Sequence, residues 1–226
     1  MIKNYFTILL LVIVGCTSDP FTRVRTSILE DHRNLSIGIM IRSTSTLLYD
    51  NDLYFKLSKR AYPENFYLNS FKQILTTELL QNTVFSRVEF INDSLQFTKK
   101  WLRTKNNAQL SIALPAASNK HFKEEQNIDY LLILDKYSVA VNDNRLVVAK
   151  EIQRQSDQQP ITENGSALFT NSAGVAVIDC RTDSIIQFGS LIYTESFTNP
   201  EIGDYYECAR EFCTRIFEKS IFTYIR

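Results

Sequence analysis

Asn127–Val139 reads NIDYLLILDKYSV, and the continuation runs Ala140-Val141. From Asp129 the stretch opens as an unbroken apolar run and then passes into alternation, a pattern that predicts one long β-strand over 129–141. Upstream, Leu35–Arg42 (LSIGIMIR) alternates and is β-branched, which predicts a first strand. Glu64 to Gln81 places Leu68, Phe71, Leu75 and Leu79 on one helical face with Ile74 beside them. Val84–Ile91 (VFSRVEFI) returns to a strand pattern. Strand, helix, strand in that order predicts a β-α-β unit with parallel strands. Between these elements Ser43–Pro63 reads as an irregular connection. In 92–127 two short helices are expected, one over Ser94–Arg103 carrying Trp101 and one over Phe122–Gln126.

Downstream, Asn142-Asp143-Asn144 is turn chemistry, and Leu146–Ile152 is expected to return as a hairpin arm. Gln153–Asn164 is polar and reads as an exposed loop. Ser166–Cys180 and Ser184–Phe197 form a second expected hairpin around Arg181-Thr182-Asp183. Tyr205, Cys208, Ala209, Phe212 and Ile216 then mark one face of a closing helix. The predicted fold class is α/β. It comprises a mixed sheet of about five to six strands with helices packed on it, a β-α-β start, two antiparallel hairpins and a C-terminal helix.

The first fifteen residues have a different character. Lys3 supplies a positive charge, and Ile8 to Val14 form an apolar run ending in Gly15. The run falls short of the about 20 apolar residues that a membrane-spanning helix needs, and it has the layout of a secretory signal. Ile13-Val14-Gly15-Cys16 resembles the bacterial lipobox. That resemblance implies cleavage before Cys16, diacylation of its thiol and acylation of the new amino terminus. Two or three acyl chains at ~0.8 kcal/mol per buried methylene make such an anchor effectively permanent. The chain thus divides into a signal peptide (1–15), a lipidated tether (16–34) and one α/β domain (35–226). An aspartate immediately after the cysteine is a retention cue for the inner membrane in some bacteria. Thr17 holds that place and Asp19 comes later, so outer-membrane residence in the cell envelope is expected.

Lysines plus arginines equal aspartates plus glutamates at 25 each, so the net charge is zero and no footprint for nucleic acid is present. The only histidines are His32 and His121, and no His, Cys or carboxylate cluster has ligand spacing, so neither a metal site nor a cofactor is expected. Asp50-Asn51-Asp52 and Asn142-Asp143-Asn144 read as turns rather than calcium loops. No nucleophile elbow, phosphate loop or dinucleotide fingerprint occurs, and no catalytic residue is assigned. The groups Lys56, Lys59, Arg60 and Lys99, Lys100, Arg103 read as solvated faces, with lipid headgroups as the alternative contact. Beyond Cys16 three cysteines remain. Cys208 and Cys213 sit ~8 Å apart on one helix, too far to bridge. A Cys180–Cys208 disulfide stays open if that helix packs on the strand, and three small buried hydrophobes are the other reading.

Several of these segments together resemble the curli-secretion lipoprotein superfamily, which includes TolB N-terminal-like domains and lipoprotein activators of penicillin-binding proteins. Ser36–Ile41 stands for the family's first strand, Phe71–Leu80 for its helix and Phe85–Phe90 for its second strand. Asn127–Val139 resembles the third strand. Val175–Phe188 resembles the hairpin that follows, with Asp183 where the family usually has glycine. Residues 43–63 and 92–127 have no counterpart in that pattern, and the pore-forming amphipathic hairpins of the curli channel have no counterpart in this sequence. The resemblance implies a non-catalytic envelope domain that binds another protein. Loops on a rigid sheet carry recognition, so segments 43–63 and 153–165 are the expected contact regions, with Tyr49, Tyr54, Phe55 and Tyr62 as aromatic anchors. The alternatives are an oligomeric secretion or pore component, and a glycan-acting enzyme, which would need paired carboxylates.

Overall fold

The computed structural model describes residues 19–23, 34–42, 45–48, 63–91, 95–143, 166–198, 201–218 and 220–223. In chain order the strands are β1 (Phe21–Arg23), β2 (Leu35–Arg42), β3 (Ser45–Leu48), β4 (Phe85–Phe90), β5 (Phe97–Arg103), β6 (Gln109–Pro115), β7 (Tyr130–Asp143), β8 (Ser166–Asp179) and β9 (Ser184–Thr198). The helices are α1 (Pro63–Asn82), α2 (Lys120–Gln126) and α3 (Ile202–Phe217). The expected α/β class and mixed sheet are present.

The long apolar strand β7 lies inside a seven-stranded sheet: six strands run in the order β1-β9-β8-β7-β2-β4, and the seventh, β3, pairs with β7 off this path. β2 runs parallel to both β4 and β7, and β8 and β9 continue antiparallel from β7 to the edge strand β1. Where β2 ends, β3 takes over beside β7, pairing Ser45–Leu48 with Ser138–Val141. β5 and β6 form a separate antiparallel hairpin.

Both faces of the sheet are covered, which is why β7 begins as an unbroken apolar run. Tyr130, Leu132 and Leu134 join Ile37, Ile39, Val175 and Val177 under α1 and α3. Leu131 and Ile133 point the other way, into a second core with Met40, Ala176, Ile178, Ile112, Leu114 and Phe122 beneath the β5–β6 hairpin and α2. Between Asp135 and Ser138 the pairing of β7 with β8 slips. Lys136 adopts a left-handed φ of 53°, and the extra residue reverses the alternation, so that Tyr137 and Val139 now face the helices.

α1 begins on Pro63, whose missing N–H costs nothing in the first turn. Its buried ladder is Tyr67, Phe71, Leu75 and Leu79, one residue per turn. It ends where the Thr83 hydroxyl donates to the Leu79 carbonyl at 2.6 Å. α3 starts with the Glu201 N–H donating to the Asp204 carboxylate at 2.7 Å. The α3 residues Tyr205, Cys208, Ala209, Phe212, Cys213, Ile216 and Phe217 are all buried.

Four expectations differ from the structure. Ser94–Arg103 is not a helix: Phe97–Arg103 is strand β5, paired residue for residue with β6 across a turn where Asn107 takes φ 61°. The turn chemistry of Asn106-Asn107 and the inward Leu110, Ile112 and Leu114 of β6 select the hairpin over a helix. Within the expected irregular connection, Ser45–Leu48 is a strand. Within the expected tether, Phe21–Arg23 is a strand on the sheet edge, and Phe21 is buried because it closes the helix-side core. Asn142 and Asp143 are part of β7, paired with Leu168 and Ala167 of β8 rather than forming a turn. The hairpin arm expected at 146–152 and the loop at 153–164 lie outside the described residues.

Asp183, the residue standing where the resembled pattern has glycine, adopts a left-handed φ of 58°. Asp is one of the few side chains that tolerates this region. The turn is held from the other side by the Asp179 carboxylate, which accepts the Arg181 N–H at 2.9 Å.

Candidate functional site

The first residues of the described chain are bonded to two distant elements. Asp19 accepts the Phe21 N–H at 3.0 Å, pairs with Arg23 and lies 3.7 Å from Lys105 Nζ. Burial alone would raise the Asp19 pKa, but the Phe21 N–H and the Arg23 and Lys105 charges outweigh it and hold the carboxyl below its ordinary value. Arg23 Nη2 donates to the Glu218 carbonyl at the end of α3 at 2.7 Å. The Lys105 N–H, at the tip of the β5–β6 hairpin, donates to Thr22 Oγ1 at 2.9 Å. The N-terminal edge of the sheet is therefore joined to the hairpin tip and to the end of the last helix.

β1 can approach β9 this closely because residue 189 is glycine. A Cβ there would meet the Pro20 carbonyl at 2.4 Å and Phe21 Cδ1 at 2.6 Å. We expect Gly189→Ala to displace β1 while β8 and β9 stay paired. Hydrogen exchange would then rise at Phe21–Arg23 alone, and unchanged protection there would refute the expectation.

The hairpin carries an unusual outer face. Leu102, Leu110, Ile112 and Leu114 face the sheet, whereas Lys99, Trp101 and Arg103 alternate on the outside. Trp101 is 69% exposed. The hairpin is clamped to the sheet by buried Asp135, which accepts the Ala113 N–H at 3.0 Å and lies 3.5 Å from Arg42. The Arg42 guanidinium in turn covers the Phe97 ring at 3.8 Å. A second surface feature is a groove of about 390 Å³ between α1 and α3, lined by Gln73, Ile74, Glu78, Tyr206 and Arg210 among others.

Cys16, Tyr49, Tyr54, Phe55 and Tyr62, the residues singled out from the sequence, lie outside the described residues, as do His32 and the group Lys56, Lys59 and Arg60. His121 is placed: its Nδ1 is 2.8 Å from the Ser118 carbonyl, and its ring lies 3.9 Å from the Phe122 ring at a tilt of 39°. The disulfide left open between Cys180 and Cys208 is not formed, and Cys180, Cys208 and Cys213 are free and buried. The reason is placement: Cys180 belongs to the core under the hairpin, Cys208 and Cys213 to the core under the helices, with the sheet between them. Burial, then the Asp179 and Asp129 charges, push the Cys180 thiol up to about 12. Burial does the same for Cys208, also to about 12, and for Cys213. These thiols are held in the protonated form, the opposite of an activated nucleophile. Among the described residues no group of three His, Cys, Asp or Glu side chains is placed to hold a metal ion.

The sequence marks Lys99, Lys100 and Arg103 as a basic group but not Trp101 as its exposed centre, because a helix over Ser94–Arg103 hides the strand alternation. The available signal was the Asn106-Asn107 pair between two short runs of strand length.

No protein-family model matches the chain, and no curated protein matches it significantly. Among solved structures it is similar to the PelC dodecamer from Paraburkholderia phytofirmans, at 9% identity over 86% of this chain and 96% of that one, with a TM-score of 0.36. It is also similar to a homologue of the neuraminyllactose-binding hemagglutinin from Helicobacter pylori, at 8% identity over 86% of each chain and a TM-score of 0.37. Lipoprotein GNA1162 from Neisseria meningitidis matches at 12% identity over 80% of this chain and 99% of that one, with a TM-score of 0.25.

Proposed function

We propose that this chain is a bacterial envelope lipoprotein whose α/β domain is held against the outer membrane by acyl chains on Cys16 and serves, without catalysis, to bind an envelope protein. The observation that carries this reading is the junction between the lipobox and the fold. Cys16 precedes Asp19 by three residues, and Asp19 is already hydrogen-bonded into the edge of the sheet. Three extended residues reach at most about 11 Å. A lipid on Cys16 would thus hold the β1 edge next to the bilayer instead of letting the domain range freely.

The buried carboxylates have structural partners. Asp129, Asp135 and Asp179 each accept a backbone N–H and secure a strand or turn. Partner contact is assigned to segments 43–63 and 153–165, with Tyr49, Tyr54, Phe55 and Tyr62 as the anchors.

The test is metabolic labelling of the full chain with an alkyne fatty acid in a bacterial host, followed by membrane flotation. Wild type should incorporate label and float, and Cys16→Ala should do neither. An unlabelled, soluble wild type would overturn the reading. For the partner, crosslinking in native membranes should capture a protein that is lost when the four aromatic residues are replaced by serine. If every crosslinked partner stays in place, those residues are not the contact.

A further inference from the structure

We propose that the outer face of the β5–β6 hairpin lies on the lipid bilayer, with Trp101 at the level of the headgroups and Lys99 and Arg103 against anionic lipid. The proposal rests on the reading of Cys16 as the anchor and adds a second point of contact.

Three observations converge on it. First, the hairpin and its flanks, residues 95–118, contain Lys99, Lys100, Arg103 and Lys105 and neither an aspartate nor a glutamate. Lys105 lies 3.7 Å from Asp19, and Lys99, Lys100 and Arg103 make a local cationic surface in a chain whose net charge is zero. Second, Trp101 is 69% exposed in the middle of that surface, flanked on the same face by Lys99 and Arg103. An apolar ring with a polar N–H between two cations matches the chemistry of a membrane interface, where tryptophan gathers at headgroup depth and lysine and arginine pair with phosphates. Third, the anchor leaves the domain at this hairpin. Its tip is bonded to Thr22 and lies beside Asp19, three residues after Cys16. Trp101 is four residues from Lys105, at most about 14 Å of chain. The same segment, residues 19–23, also touches the end of α3, through Arg23 and the Glu218 carbonyl. It is the charge and the exposed tryptophan that select the hairpin face as the one acyl chains on Cys16 would bring to the lipid.

An anchor at the β1 edge fixes the distance of the domain from the bilayer but not its tilt. Two contacts close together fix its orientation and turn the opposite end of the sheet outward. The second contact also benefits from the high effective concentration that the first creates.

Trp101 is the single tryptophan of the chain and so reports on itself. The full-length protein, purified from bacterial membranes in detergent, is reconstituted into phosphatidylcholine vesicles with or without phosphatidylglycerol. Half of each preparation carries bromine high on the acyl chains. Trp101 emission should shift to the blue, be quenched by the brominated lipid, and become shielded from acrylamide, most strongly with phosphatidylglycerol. Lys99→Ser and Arg103→Ser should each lower the ratio of docked to undocked protein about five-fold in the anionic vesicles.

Acylated protein that floats with the vesicles yet shows equal emission with and without bromine would overturn the hairpin contact and leave the anchor standing. Protein that is neither acylated nor floats would overturn both. Trp101 unquenched in vesicles but shielded in native membranes would place a protein partner on this face in place of lipid.

Discussion

Phe71→Ala is expected to lower the unfolding free energy by about 3–5 kcal/mol, the range for truncating a fully buried phenylalanine. Phe71 is 0% exposed on the inner face of α1, where it stacks on Tyr137 at 4.2 Å and meets Phe212 at 6.0 Å. It touches three elements at once: its own helix, the strand just past the β7 bulge and the closing helix α3. Tyr137 reaches this position only because the bulge at Lys136 reverses the strand's facing, so Phe71 holds in place an irregular part of the sheet. Its neighbours are rigid rings that cannot collapse into the vacated space, which puts the cost toward the upper end of the range. Leu80→Ala on the same helix is the control. That residue is 44% exposed, and its loss should change stability by less than about 0.5 kcal/mol. Urea unfolding of both variants measures the difference, and similar midpoints would show that the helix-side core is not arranged around Phe71.

Asp129→Ala is expected to cost about 1–3 kcal/mol, because it leaves the buried Ser36 N–H without its acceptor. Asp129 sits just ahead of β7 and ties it to β2: its Oδ2 accepts the Ser36 N–H at 3.0 Å, and its Oδ1 accepts from Lys123 Nζ at 2.8 Å. Burial by itself would raise the Asp129 pKa, but the Lys123 and Ser36 hydrogen bonds outweigh it, and the carboxyl stays below its ordinary value of 3.8. Because the folded pKa is depressed, the carboxylate's contribution is complete above the unfolded value and is lost as pH falls through the folded one. Stability should therefore be level down to roughly pH 5 and decline below it. Asp19 and Asp183 are depressed in the same sense and add to the same acid limb. Asp129→Asn should flatten that limb, and urea midpoints across a pH series would show it. An acid slope as steep as that of wild type would remove Asp129 from the cause.

Much of the helix-side half of the fold was legible from local pattern. The stripe Leu68, Phe71, Leu75 and Leu79 and the stripe Tyr205, Cys208, Ala209, Phe212 and Ile216 lie where a helical period puts them, against one face of the sheet. The β8–β9 hairpin was legible from two long runs around Arg181-Thr182-Asp183. The hairpin-side half was less so. Lys99, Lys100 and Arg103 break the apolar alternation of β5, and the strand becomes recognisable only beside β6, whose inward residues share its cover. Ser45–Leu48 and Phe21–Arg23 are too short to show a period, and each is a strand because a longer one, β7 or β9, supplies its hydrogen bonds.

The candidate site divides along the same line. A signal peptide over 1–15 and a lipobox ending in Cys16 are expectations that linear position alone supplies, without any fold. That the hairpin carrying Trp101 meets the edge strand β1 could not be read in this way. It depends on a hydrogen bond between Thr22 and Lys105, 83 residues apart, and on a glycine at 189 that admits β1 to the sheet. The separation of Cys180 from Cys208 is of the same kind, since the two sides of a sheet are defined only once its strands are paired. Periodicity records which face of an element is apolar, and the sequence alone determined that. Which elements share a face depends on contacts across long stretches of chain, and the tertiary structure decided it.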